Sequence, residues 1–248
     1  ADVRELVYGL MFTRGGKDLA RSAVFVGGGD VAAADAVFDQ VRNAFFGPVR
    51  VSVMADPSGA NTTAAAAVHL ARQHIDLPAS SVAVLAATGP VGRRVARLLL
   101  RCGGHTFVTS RSLERATALV DQLPTESASG KAEPVETASP DQLRSLIAGV
   151  DAVVAAGTTG VCLLPKSVWQ TASLKLMIDL NAVPPLGIEG IQADDRAARY
   201  GDTIAYGALG VGRLKMKIHK AAIRRLFERN DQVFDVDALF ELAATLGE

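Results

Sequence analysis

The chain has 248 residues, 49% of them apolar and 21% charged, which excludes a disordered chain and allows one large or two modest domains. Its 26 Lys and Arg offset 26 Asp and Glu, so no net charge draws it toward nucleic acid or an anionic membrane surface. No apolar run reaches the roughly 18 to 20 residues of a membrane-spanning helix, and the first ten residues lack the pattern of a secretory signal.

Cys102 and Cys162 sit among apolar neighbours without the spacing of a zinc or redox pair, which predicts buried, reduced thiols, no metal site and a cytoplasmic protein. The chain opens without an initiating Met directly into a helix-like pattern, so a segment upstream is expected.

Short β-rich runs predict strands at 23–26, 49–54, 82–86, 106–109, 152–156 and 174–179. Helical periodicity predicts helices at 30–46, 63–74, 91–102, 113–123 and 140–147. Residues 124–134, polar with Gly and Pro, read as a surface loop. A Pro- and Gly-rich loop at 181–190 precedes helices at 214–227 and 236–246. This rhythm predicts a two-domain α/β protein: a parallel-sheet N-terminal domain, a Rossmann-type dinucleotide-binding domain, and C-terminal helices that return to the first domain. The expected division is 1–64 with 222–248, and 65–221.

The strand at 82–86 runs into Ala87-Thr88-Gly89-Pro90-Val91-Gly92 and then a helix. This is the dinucleotide fingerprint with Ala87 in place of its first glycine. Gly89 would let the backbone approach a pyrophosphate, and Gly92 would let the helix pack closely on the strand. Free N–H groups at the helix start would hold the phosphate.

An NAD site usually carries an acid at the end of the next strand. Here that strand leads to Ser110-Arg111-Ser112 instead, with Arg115 following. A guanidinium flanked by hydroxyls suits a 2′-phosphate, which favours NADP while leaving NAD possible as an acceptor. The structural alternative is that Ser112 only caps the next helix and Arg111 is solvated. Ala156, Gly157 and Asn181, at later strand ends, are expected on the nicotinamide side, or else are turn formers.

Residues 56–63 (DPSGANTT) read either as a turn with a helix cap or as the lining of a polar pocket. On the late helix, Lys215 and His219 fall within the apolar arc formed by Val211, Leu214, Met216, Ile218, Ala222, Ile223 and Leu226. A lysine there is costly without a partner or ligand, unless its stem snorkels. His219 by itself reads as a core histidine.

TRGGK (13–17), FVGGGD (25–30), FFGPVRVS (45–52), GANTTAAA (59–66), TGPVG (88–92), NAVPPLGI (181–188) and GALGVGRLKMKIHKA (207–221) occur in order. With them the chain resembles the bacterial NAD(P)-dependent methylene-tetrahydromethanopterin and methylene-tetrahydrofolate dehydrogenases. The resemblance implies a reduced pterin substrate, NADP as hydride acceptor and a homo-oligomer. It implies Lys215 as the active-site lysine, Asn61, Thr62 and Thr63 on the pterin side, and Arg111 toward the cofactor; Asp56, Lys17 and His219 are further candidates for the substrate side. Three departures stand out: Ala87 for the first glycine, Ser112 where a basic residue is common (which lowers the preference for NADP), and the absence of a strand-helix-strand portion ahead of residue 1.

The implied reaction oxidises the methylene group to methenyl by direct hydride transfer and needs no acid–base machinery. Two rival readings remain open. A shikimate-type NADP dehydrogenase would need a Lys–Asp pair, for which Lys17 and Asp56 are the candidates. A non-catalytic NADP-sensing module would need no lysine in the apolar arc.

Overall fold

A computed structural model describes residues 2–124 and 129–246. The helices are α1 (Val3–Thr13), α2 (Val31–Asn43), α3 (Ala60–His74), α4 (Pro90–Arg101), α5 (Leu113–Gln122), α6 (Pro140–Ile147), α7 (Lys166–Trp169), α8 (Ala208–Arg225) and α9 (Val236–Thr245). The strands are β1 (Ala23–Val26), β2 (Ser52–Ala55), β3 (Ser81–Leu85), β4 (His105–Ser110), β5 (Lys131–Glu136), β6 (Ala152–Ala155), β7 (Leu176–Asp179), β8 (Arg196–Tyr200), β9 (Thr203–Tyr206) and β10 (Val233–Phe234).

The chain forms two compact units: Ala1–Thr62 with Lys215–Glu248, and Thr63–Leu214. The chain therefore passes from one unit to the other within α3 and within α8.

The first unit holds a parallel sheet in the order β1-β2-β10. Its core joins Val7 and Met11 of α1, Phe38 and Val41 of α2, and Val53 of β2. Each such side chain contributes roughly 1.5–3 kcal/mol by leaving water. Asp2 and Asp30 accept the first free N–H groups of α1 and α2 and so fix where these helices begin.

The second unit holds a seven-stranded sheet in the order β5-β4-β3-β6-β7-β9-β8, parallel except for β8 against β9. The first six follow the doubly wound order, with the direction of winding reversing between β3 and β6. β6 and β7 are buried throughout and β3 nearly so, because helices cover both faces of a parallel sheet.

Several expectations need correction. β5 takes in the last four residues of the predicted loop 124–134, of which 125–128 lie outside the described residues. Its sequence, KAEPVE, is polar because an edge strand stays part-exposed. The hairpin of β8 and β9 was not expected, since β8 (RAARY) is largely exposed and lacks an apolar run. α8 begins six residues before the expected position 214, and so takes in Gly210 and Gly212. A Cβ at Gly210 would overlap the Asp195 carbonyl, so close backbone packing explains a glycine inside this helix. The cysteines are not buried: Cys102 is half-buried at the end of α4, and Cys162 is exposed after β6. Partial burial pushes both thiols up from their ordinary values.

The C-terminal segment returns to the first unit through a clasp at Ser52. This fully buried hydroxyl donates to the Arg229 carbonyl (2.7 Å) and accepts the Gln232 N–H (3.2 Å). The Gln232 carbonyl in turn accepts the Val53 N–H at 2.8 Å. Ser52→Ala leaves both Ser52 partners without their bonds, a loss of about 1–3 kcal/mol. Urea unfolding should show that loss, with faster proteolysis in 229–246; an unchanged midpoint and cleavage rate would contradict the clasp.

Candidate active site

In the first unit, polar groups gather at the carboxyl end of β2. Asp56 follows the strand directly, and its N–H is held by the Val26 carbonyl at the end of β1 (3.0 Å). Its buried carboxylate accepts the Thr62 N–H (3.0 Å) and the Thr62 hydroxyl (2.7 Å). It therefore caps the first turn of α3 from outside the helix.

The second carboxylate oxygen also faces His219 Nδ1 of α8 at 3.3 Å. A carboxylate only accepts, so the ring proton sits on Nδ1 and Nε2 is left as the free nitrogen. The exposed ring of Phe25, from β1, meets the His219 ring edge-on with centroids 5.8 Å apart.

One turn before His219, the half-buried Lys215 side chain reaches back to Gly59. A Cβ built on Gly59 would overlap the ammonium and lie 2.9 Å from Lys215 Cε. Among the described residues, no hydrogen bond or ion pair engages this amine. Asp56, Thr62, Lys215 and His219 thus come together around the Pro57–Gly59 turn.

Other expected residues are placed differently. Lys17 lies exposed in the 3-10 turn Gly16–Arg21, and the carboxylate of Asp56 meets Thr62 and His219 instead. Asn61 is not the cap of α3; it sits in the first turn, and its amide donates back to the Ala55 carbonyl at 2.6 Å. Thr63 is half-buried two residues further on. Met216, expected in the apolar arc, is 46% exposed, while Val211, Ile218, Ala222 and Leu226 are buried. Phe25 and Gly59 were not singled out from sequence, although both stand inside quoted motifs.

In the second unit, the β3-to-α4 turn lies at the point where the sheet order reverses. Ala87 is buried and its N–H donates to the Thr109 carbonyl at the end of β4 (3.0 Å). That bond brings the loop beside Ser110, Arg111 and Ser112. The left-handed residue of the turn is Ala86 (φ 55°) rather than Ala87, a position sequence reasoning missed.

Thr88 accepts from the Arg93 guanidinium at 3.4 Å. Gly89 is the N-cap of α4 and supplies no side-chain cap, with Pro90 and Val91 following. A Cβ at Gly89 would meet only ordinary contacts, the Ala86 and Ala156 carbonyls at 3.5 and 3.7 Å. Among the described residues, no neighbour demands glycine there. Gly92 is different: its Cβ would lie 2.7 Å from Ala87 Cα, so helix and strand could not pack.

Ser112 caps α5 by accepting the Arg115 N–H (3.4 Å), and Ser110 accepts the Ser112 N–H (3.2 Å). Arg111 and Arg115 are exposed, and Arg111 makes no ion pair among the described residues. A Cβ at Gly157 would lie 2.6 Å from Leu163 Cδ1, so the Leu163 side chain would have to shift to admit it.

Asn181 is buried, and its side chain bridges the Pro185 carbonyl (3.0 Å) and the Val183 N–H (3.0 Å). Beneath it, the fully buried Asp179 carboxylate accepts the N–H groups of Asn181 (2.9 Å) and Ile188 (2.8 Å). Burial pushes this carboxyl up, and the backbone N–H groups oppose that rise. Asp179 therefore shapes the 181–188 loop, a role its place at a strand end did not reveal.

Residues 1–58 match the family model described as methylene-tetrahydromethanopterin dehydrogenase, N-terminal. Over 245 residues the chain is 42% identical to the bifunctional protein MdtA of Methylorubrum extorquens, covering 98% of this chain and 85% of that protein. It is 28% identical over 256 residues to the NAD(P)-dependent methylenetetrahydromethanopterin dehydrogenase of the same organism, covering 99% and 86%. Among solved structures, a transhydrogenase from Sinorhizobium meliloti superposes with a TM-score of 0.51 at 20% identity, over 75% of this chain and 54% of that one, a likeness of fold alone. At 42% identity over nearly its whole length, the chain belongs to the family of NAD(P)-dependent methylene-tetrahydromethanopterin dehydrogenases.

Proposed function

We propose that this protein oxidises methylene-tetrahydromethanopterin to the methenyl form with NADP, and that methylene-tetrahydrofolate is a second carrier to test. The observation that carries this reading is the unpartnered Lys215 amine, half-buried beside the Asp56–His219 pair on a chain of this family. A polar cation left without a counter-ion in a part-buried place suits a polar ligand edge better than a structural role.

The residues of the second unit fit a dinucleotide. Gly89 leaves the start of α4 open to an approaching phosphate, and Arg111 with the hydroxyls of Ser110 and Ser112 suits a 2′-phosphate. When bound, the nicotinamide accepts the hydride.

The carbon–hydrogen bond of the methylene group breaks with both electrons leaving as hydride. The lone pair of the adjacent pterin nitrogen fills the deficit, giving a cation spread over two nitrogens. No proton leaves, so the protein's work is to hold and orient. Lys215 Nζ donates to the pterin, His219 Nε2 offers a second polar contact, and the Phe25 ring covers the flat surface. The half-buried thiol of Cys102 and the exposed one of Cys162 suit a reducing cytoplasm.

Lys215→Ala removes a charged hydrogen bond worth roughly 1.5–3 kcal/mol, so kcat/KM for the pterin should fall about 10- to 100-fold. NADP affinity should be unchanged. Turnover equal to that of the parent, followed by absorbance of the methenyl product, would refute the assignment. Arg111→Ala should lower the NADP-over-NAD ratio of kcat/KM by about 10- to 100-fold, leaving NAD kinetics intact; an unchanged ratio would place the 2′-phosphate elsewhere.

A further inference from the structure

We propose that the Asp56–Gly59 turn is a two-point positioning device, fixing the two polar side chains that α8 presents to the substrate. The inference rests on the functional reading above for the pterin, but its geometry stands independently.

The first point is the Asp56 carboxylate. By accepting the hydrogen bond from His219 Nδ1, it sets the orientation of the ring and leaves Nε2 as the free nitrogen. The second point is Gly59. Its missing side chain is the space into which the Lys215 ammonium reaches, and any Cβ there would expel the amine.

Both points belong to one short, strained turn. Ser58 and Gly59 are left-handed in succession, with φ of 50° and 66°. For Ser58 that conformation costs roughly 1–2 kcal/mol. The turn is held against this strain at three places. Ser58 N–H and its hydroxyl both donate to the Gly28 carbonyl (3.0 and 3.2 Å), and the Gly59 N–H donates to the Asp56 carbonyl (3.0 Å). Strain that surrounding bonds keep in place is common where a protein must hold reacting groups still. Lys215 and His219 stand four residues apart on α8, so one turn of helix carries both groups and one turn of loop seats both.

Gly59 and Asp56 are positioning residues, and their test is coupling to the groups they seat. Gly59→Ala should lower kcat/KM for the pterin by about 10- to 100-fold, as expected for a misplaced contact, with KM for NADP unchanged. In a Lys215→Ala background the same change should cost less than about twofold. Gly201→Ala is the control: it has the same φ of 66° but open space around the Cβ, so it carries the strain alone and should turn over as the parent does.

Asp56→Asn and His219→Gln make a second cycle with the same expectation, and this cycle decides should Gly59→Ala fail to fold. Full additivity in the cycles, or parental turnover in Gly59→Ala, would overturn the proposal. Acetic anhydride labelling of Lys215, read by mass spectrometry, provides an arm independent of activity. Gly59→Ala should label faster than the parent and Gly201→Ala should not; equal rates for the first two would also overturn it. A parent that labels as expected but forms no methenyl product would sink the functional reading while leaving the positioning device intact.

Discussion

The carboxylate of Asp56 is the constraint on which the first unit turns. Its backbone N–H hangs from the end of β1, its carbonyl closes the turn to Gly59, and its side chain holds both the start of α3 and the imidazole on α8. Two segments distant in sequence, β1 and α8, are thereby tied through one residue to the local turn and the start of α3. A buried charge is tolerated here because Thr62 contributes an N–H and a hydroxyl, and His219 a ring N–H. The lysine one turn earlier meets no such partner among the described residues, so the same arrangement that stabilises the fold leaves this amine for a ligand.

The second unit achieves its end by different means. Its loop rests on absences of side chain: Gly92 where helix and strand touch, and Gly89 where the protein itself asks for nothing. Ala86 takes the left-handed position that a glycine would hold with less strain, and the bond from Ala87 to Thr109 keeps the turn in place. Asp179 repeats on the far strand the logic of Asp56, a buried acid satisfied by backbone N–H groups that gives an otherwise irregular loop a defined course.

Most of the fold was legible from sequence because buried parallel strands are written in apolar residues. β1 and α6 fall at the expected positions, and β3, β4, β6 and β7 differ only at their ends. Edge strands escaped for the complementary reason: β5 and β8 are part-exposed, so KAEPVE and RAARY carry no apolar run. Within α8, the close approach of the Asp195 backbone explains the glycine at 210, whereas a Cβ at Gly212 would meet nothing within 4 Å. Lys215 was legible as a charge in the wrong arc of a helix. Gly59 was not, because an empty space has meaning only when its occupant is known. Phe25 looked like one more apolar strand residue, and only its 48% exposure sets it apart.

The central claim is that a hydride passes directly from the one-carbon unit of a reduced pterin to the nicotinamide, with the protein holding both still. Methylene-tetrahydromethanopterin dideuterated at the transferred carbon, incubated with NADP in ordinary water, tests it most directly. The account predicts one deuterium at nicotinamide C4 of the NADPH formed and the other retained in the methenyl product. Deuterium lost to solvent, or no NADPH at all, would contradict it.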